Sequence, residues 1–252
     1  LNLRPLWIAG RFLTRFPFPD PGRVEPQELG LALPWYPAIG ALVGLALAGA
    51  GWLLAGTPPG VAAALILGLW VLSTGGLHLD GLADTADAWV GGLGSRERTL
   101  AIMKDPASGP AGVAALVLVL IAKYAALEAL LPVGAWPSLV WVPLLARTTL
   151  PLLFVSTSYV RPDGMGAEQA RTAPPARCRV AAAISAGACW LGLGWLGLGL
   201  VLAVALLYGL LRHAFIGRLG GFTGDTAGAL TELAETLVLL LLALALAAPP
   251  SG

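Results

Sequence analysis

The run Gly75-Gly76-Leu77-His78-Leu79-Asp80-Gly81-Leu82-Ala83-Asp84-Thr85-Ala86-Asp87 gathers three carboxylates and a histidine in a chain that is otherwise strongly apolar. Asp80, Asp84 and Asp87 stand at i, i+4 and i+7, which places all three on one face of a helix within two turns. Like charges that close repel unless a cation lies between them. Carboxylate oxygens without an accompanying Cys favour a hard ion, and Mg2+ in particular takes one or a few carboxylates together with substrate phosphate oxygens. The motif therefore reads as a Mg2+-diphosphate site. His78 has the titration range of a base near neutral pH, and it equally suits a hydrogen-bonding scaffold.

A second stretch, Gly220-Gly221-Phe222-Thr223-Gly224-Asp225, repeats the Gly-Gly-x-x-x-Asp frame of Gly75 to Asp80. Seven residues past Asp80 lies Asp87; seven past Asp225 lies Glu232, with Glu235 one turn beyond. Asp225 reads either as a helix cap or as a further ligand. Glu232 and Glu235 fall inside an apolar segment, where uncompensated carboxylates are costly. Two acidic helix ends facing each other across one metal-diphosphate site account for both stretches.

The elements that must position these residues are membrane helices. The 252 residues are 57% hydrophobic and 12% charged, far from the soluble norm of about 25% charged. The expectation is an all-α, polytopic integral membrane protein of about seven transmembrane helices, forming a single membrane-embedded domain over residues 1–252. A net charge of +1 excludes a nucleic-acid partner. Cys178 and Cys189 form no metal-binding spacing and read as free thiols. Arg4, Arg11 and Arg15 share one face of a helix predicted over 3–16, which fits a segment lying in the membrane surface rather than a cleaved signal.

Spans are predicted over 34–55, 61–74, 111–131, 135–156 and 227–247, and the apolar run 180–211 is long enough for two, turning near Gly192 to Gly199. The second span continues into the acidic motif or breaks at Gly75-Gly76. Polar loops are expected over 77–110, 159–179 and 212–226, and Gly91 to Ser95 reads as a flexible hinge. Lys104 beside Asp105 suits a phosphate contact or a local pair. Within the spans, Glu128 either pairs with Lys123 or Arg147 or serves as a ligand. Lys and Arg concentrate at one set of connections: Arg4, Arg11, Arg15 and Arg23, then Arg96, Arg98 and Lys104, then Arg161 to Arg179, then Arg212 and Arg218. The opposite connections, near Pro58, Pro132 and Trp195, carry none. The positive-inside rule thus puts the N-terminus and the acidic motifs on the cytoplasmic side of the cell membrane.

Together with Thr14-Arg15-Phe16-Pro17 and Ile102-Met103-Lys104-Asp105, the two Gly-Gly motifs resemble cobalamin synthase, the adenosylcobinamide-GDP ribazoletransferase family, over about residues 10 to 240. The stretch Ala107-Ser108-Gly109-Pro110 is looser than the usual continuation of that family. The resemblance implies a membrane-bound, Mg2+-dependent transferase that joins adenosylcobinamide-GDP to α-ribazole or α-ribazole 5'-phosphate and releases GMP. It implies that Asp80, Asp84, Asp87 and Asp225 hold the metal, that Lys104, Arg15 or Arg147 adds fixed positive charge, and that Thr223 joins the substrate contacts. His78 or a carboxylate such as Asp84 would accept the hydroxyl proton. The lipid bilayer is an expected partner, and an oligomer is compatible with the pattern.

Rival classes fit less well. CDP-alcohol phosphotransferases also set paired Asp motifs on helix ends, but their Asp-Gly-x-x-Ala-Arg differs from Ala83-Asp84 here, and membrane prenyltransferases space their aspartates differently. A divalent-cation or corrinoid transporter would spread ionisable groups through the bilayer depth, whereas most here gather on one side.

Overall fold

The computed structural model describes residues 3–164 and 166–247, and among them every regular element is helical. In chain order these are α1 (Arg4–Leu13), α2 (Pro26–Ala32), α3 (Tyr36–Leu53), α4 (Pro59–Thr74), α5 (Leu77–Gly91), α6 (Arg96–Ile102), α7 (Pro110–Leu130), α8 (Trp141–Ser156), α9 (Gly166–Thr172), α10 (Pro175–Leu219) and α11 (Gly224–Leu246). Short 3-10 turns at Leu33–Trp35 and Trp136–Val140 lead into α3 and α8. Helix α1 stops at Leu13, so Arg15 lies beyond it and donates its backbone N–H to the Ser73 carbonyl at 2.7 Å. The stretch Pro249-Pro250-Ser251-Gly252 that follows the span predicted over 227–247 lies outside the described residues.

Five helices are long and apolar enough to cross a membrane, or six if the bent pair α4 and α5 counts as one span. Helix α10 is counted once there, but it is broken at Gly194, whose φ of 58° and ψ of −134° are not helical. Cys189 Sγ donates to the Gly197 carbonyl at 3.7 Å. In a continuous helix those residues would stand about 12 Å apart along the axis, so the chain doubles back. The two legs of α10 are the two spans expected from the 180–211 run.

The bend between α4 and α5 is 87°. Gly75 and Gly76 produce it with φ of 65° and 71°, the left-handed region that side chains resist. The Gly75 N–H closes the end of α4 on the Leu72 carbonyl, and α5 starts afresh at Leu77. The polar loops expected over 77–110 and 212–226 are therefore mostly helix: α5 and α6 fill most of the first, and α10, running on to Leu219, and α11, starting at Gly224, take up most of the second. Leu and Ala between the charges, with no β-branched run, keep the first stretch helical despite its polarity.

Helix α11 is the centre of the assembly, packed against α5, α7, α8 and α10 and buried on most faces. One apolar core joins α3, α4, α7, α8 and α11 through Leu47, Ile66, Leu127, Leu145 and Leu239. A second, nearer the acidic motifs, gathers Leu13, Tyr36, Leu153, Phe215, Phe222 and Leu230.

Candidate active site

Helices α5 and α11 meet at glycines. A Cβ on Gly81 would lie 2.8 Å from the Asp225 carbonyl oxygen and 3.2 Å from the Gly228 Cα. The absence of side chains at this crossing brings the first turns of both helices together, and with them Asp80, Asp84 and Asp225. The charges acting on Asp84 are those of Asp80, Asp225 and Asp87, all like-signed, opposed by Arg161. Thr223 starts α11 with a capping box: its hydroxyl accepts the Thr226 N–H at 3.2 Å, and the Thr226 hydroxyl accepts the Thr223 N–H at 2.9 Å.

Arg161 reaches the site from the connection between α8 and α9. The Val160 N–H donates to the Phe222 carbonyl and the Phe222 N–H to the Ser158 carbonyl, each at 2.9 Å, so this connection runs alongside the Gly-Gly turn before α11. Arg161 Nη1 then pairs with Asp225 Oδ2 at 2.8 Å, while its Nε and Nη2 are shielded from solvent and have no hydrogen-bond partner. Phe154, Tyr159 and Phe222 pack edge to face and stacked behind it. Burial pushes the Tyr159 phenol above its usual range, so it stays protonated.

These groups enclose a cavity of about 370 Å³. Its charged side holds Asp80, Arg161, Asp163 and Asp225, and its other walls include Phe12, Tyr36, Phe154, Tyr159 and His78. Gln169 on α9 donates to the Tyr36 hydroxyl at 2.6 Å and fixes that wall. A neighbouring cavity of about 330 Å³ is lined by Lys104, Leu100 and Val160 and shares Arg161, Asp163 and Gly164 with the first. A larger space of about 520 Å³ opens at the opposite end of the bundle, near Thr57, Pro58 and Trp136, and no ionisable side chain lines it.

The family model described as cobalamin-5-phosphate synthase matches residues 5–243, which takes in both acidic helix ends and the Arg161 connection. The chain belongs to this family. Relatives named adenosylcobinamide-GDP ribazoletransferase include one from Pseudomonas paraeruginosa, 52% identical over 244 residues and covering 96% of this chain and 98% of the relative. One from Ectopseudomonas mendocina is 53% identical over 241 residues, covering 95% and 98%. One from Pseudomonas putida is 50% identical over 242 residues, covering 96% and 99%. No solved structure matches the chain.

Against this cobalamin-5-phosphate synthase framework, several expected site residues take other places. Asp87 does not face the cavity. Its Oδ2 accepts the Gly109 N–H at 2.7 Å and its Oδ1 the Gly112 N–H at 2.8 Å, so both oxygens serve the N-terminus of α7. Thr223 is wholly buried and occupied by its cap, which leaves it no free group for a substrate. Arg147, also wholly buried, pairs with Glu235 and lines neither cavity, which corrects its expected substrate contact. Glu235 also accepts from Lys123 Nζ at 2.5 Å and from the Trp70 indole at 3.3 Å. Glu232 takes Lys123 Nζ at 2.6 Å, and Lys123 lies 4.4 Å over the Trp70 ring. These carboxylates belong to a buried ion network below the site, and Lys123 pairs with them rather than with Glu128. Glu128 lies toward Gly60, at the other end of α4.

The remaining expected residues stay at the site. His78 is almost fully buried in the cavity wall, and its Nδ1 has no partner. Lys104 is exposed and forms no ion pair, with Asp105 or any other described residue. The Arg15 guanidinium packs over Gly75 at the bend that begins the motif. The sequence reading did not single out Arg161, Tyr159, Asp163 or Gln169. They sit in what reads as a polar connection, and only the backbone pairing of Val160 with Phe222 marks them as neighbours of the acidic helices.

Proposed function

We propose that this chain transfers the adenosylcobinamide phosphate of adenosylcobinamide-GDP to the ribose hydroxyl of α-ribazole, or of its 5'-phosphate, releasing GMP late in cobalamin biosynthesis. The observation that carries this reading is the meeting of Asp80 and Asp84 on α5 with Asp225 on α11, in a chain of this family, beside a cavity of ligand size.

Asp80, Asp84 and Asp225 would hold Mg2+, which when bound supplies charge neutralisation to the diphosphate. The donor set fits that ion, being all oxygen. Among the described residues no three acidic, His or Cys side chains are grouped to hold a metal, so the ion would take part of its shell from water and substrate phosphate. Phosphoryl transfer asks the protein chiefly for positioning and for neutralisation of oxygen charge. Asp225 is held by Arg161, Asp80 is exposed at the cavity, and Asp84 lies one turn further along α5. His78, with its unpartnered Nδ1 at the cavity wall, or a carboxylate such as Asp84 would accept the proton released by the ribose hydroxyl. Arg15 and Lys104 supply positive charge at the bend and in the adjoining cavity. The arginine and lysine distribution supports a cytoplasmic location for this end of the bundle.

The test is GMP release from adenosylcobinamide-GDP by purified protein in lipid, with and without α-ribazole, Mg2+ and chelator. Release that needs both α-ribazole and Mg2+ is expected. An intact preparation that releases nothing, or releases GMP equally without α-ribazole, overturns the reading.

A further inference from the structure

Among the described residues, two arginines carry a buried guanidinium edge without a partner, Arg147 and Arg161, through Nε and Nη2 in each case. They differ in what lies beside them. Arg147 is sealed inside the helix bundle and borders no cavity. Arg161 borders two, on the wall they share.

The geometry of Arg161 is specific. Nη1 is committed to Asp225 at 2.8 Å, which fixes the plane of the group. The unpartnered Nε–H and Nη2–H lie in that plane along one edge, the edge that grips two oxygens of one carboxylate or phosphate. Leaving such donors shielded and unmatched is costly, so the arrangement calls for an anion. Of the two cavities that Arg161 lines, the larger is also lined by Asp80, His78 and Asp225, and the smaller by Lys104, itself unpaired. The acidic side chains at Asp80, Asp163 and Asp225 repel a bare carboxylate ligand, whereas a diphosphate bridged by a divalent cation suits both signs of charge.

We propose that Arg161 is the phosphate-binding cation of the transfer, and that the smaller cavity it shares with Lys104 receives the departing nucleoside monophosphate. The proposal rests on the function assigned above and adds the direction of the reaction to it. The acceptor oxygen approaches phosphorus from the larger cavity, beside His78 and Asp80. The new P–O bond forms on that side, and the ribose proton leaves to water in that cavity. The bond to the bridging oxygen breaks on the far side, its electron pair staying on the departing phosphate, where Arg161 and Lys104 offset the added charge. An in-line displacement sets the departing oxygen opposite the acceptor oxygen at phosphorus, and Arg161, lining both cavities, is placed to contact the phosphate from which each bond forms or breaks. The smaller cavity, about 330 Å³, suits a nucleotide and cannot enclose a corrinoid.

The experiment compares Arg161→Gln, Arg161→Lys and Lys104→Gln with the wild type in lipid, reading turnover, the KM for α-ribazole and the Kd for GMP in the presence of Mg2+. Arg161→Gln is expected to lower kcat by about 100-fold or more and to weaken GMP by about tenfold. Arg161→Lys, which keeps the charge without the fork and guards against loss of folding, should recover only a small part of the turnover. Lys104→Gln should weaken GMP by about tenfold while the KM for α-ribazole stays within about twofold. If Arg161 acts only by holding Asp225, turnover falls but GMP affinity does not, and the proposal is overturned. It is equally overturned if Lys104→Gln leaves GMP binding intact. A wild type that releases no GMP overturns instead the function on which the proposal rests, and the smaller cavity loses its assignment with it.

Discussion

At the scale of single residues, three aspartates in one motif divide into two jobs. Asp80 and Asp84 stay with the charged cluster around Asp225, while Asp87 ties α5 to the start of α7 through two backbone N–H groups. Their substitutions should separate accordingly. Asp84→Asn is expected to abolish turnover and leave the melting temperature in detergent unchanged, because the amide keeps the shape and loses the charge. Asp87→Ala is expected to cost about 1 kcal/mol of stability, the usual worth of a helix cap, visible as a lower melting temperature. Equal loss of turnover with no change in melting temperature for both variants would return Asp87 to the metal site. Spacing in the sequence placed the three carboxylates on one face, which is correct. It contained no information about what that face meets at each turn, because Gly109 and Gly112 reach Asp87 from more than twenty residues away.

Among elements, the crossing of α5 and α11 sets the separation of the two acidic helix ends. A methyl group at Gly81 would press on the Asp225 and Gly228 backbone, which cannot rotate aside. Gly81→Ala should therefore cost about 1–3 kcal/mol and most of the activity. Gly199→Ala, where an added Cβ meets no other atom within 4 Å, is the control and should change neither. Beneath the crossing, the network of Lys123, Arg147, Glu232 and Glu235 joins α7, α8 and α11. Removing Glu235 leaves Lys123 short of one partner and Arg147 without its ion pair, so Glu235→Ala is expected to destabilise by about 3–5 kcal/mol in a denaturant titration in detergent. A shift below about 1 kcal/mol would mean that the network contributes little. Charged residues inside apolar runs were conspicuous in the sequence, but their partners were not: Arg147 and Glu235 are 88 residues apart, and no local pattern links them. The bend at Gly75-Gly76 and the break in the Gly-rich part of α10 were legible, since paired or clustered glycines interrupt helices by a local mechanism.

For the whole molecule, composition alone defined a helical membrane protein, and the arginine and lysine distribution predicts an orientation for it. That orientation can be tested with the molecule's own chemistry, because Cys178 and Cys189 are both buried and should react poorly. Ala107→Cys, beside the acidic site, is expected to resist a membrane-impermeant maleimide applied from outside the inner membrane. Ala55→Cys, at the opposite end of the bundle, should label. The reverse pattern would place the site on the other face. Arg161 eluded the sequence reading for a reason of the same scale. It belongs to a connection whose position depends on how α8, α10 and α11 assemble, and in the sequence it is one more arginine among those that cluster at one set of connections.

The buried ion network also imposes an order in time. During synthesis α7 and α8 enter the bilayer carrying Lys123 and Arg147, each costing about 2.5–3.5 kcal/mol at mid-depth while unpaired. Glu235 leaves the ribosome 88 residues after Arg147, a delay of roughly 4 to 18 s at bacterial elongation rates. Until then both cations must be sheltered by water, lipid headgroups or the insertion machinery. The last helix thus delivers, in one step, the aspartate of the site and the glutamates that discharge the bundle beneath it.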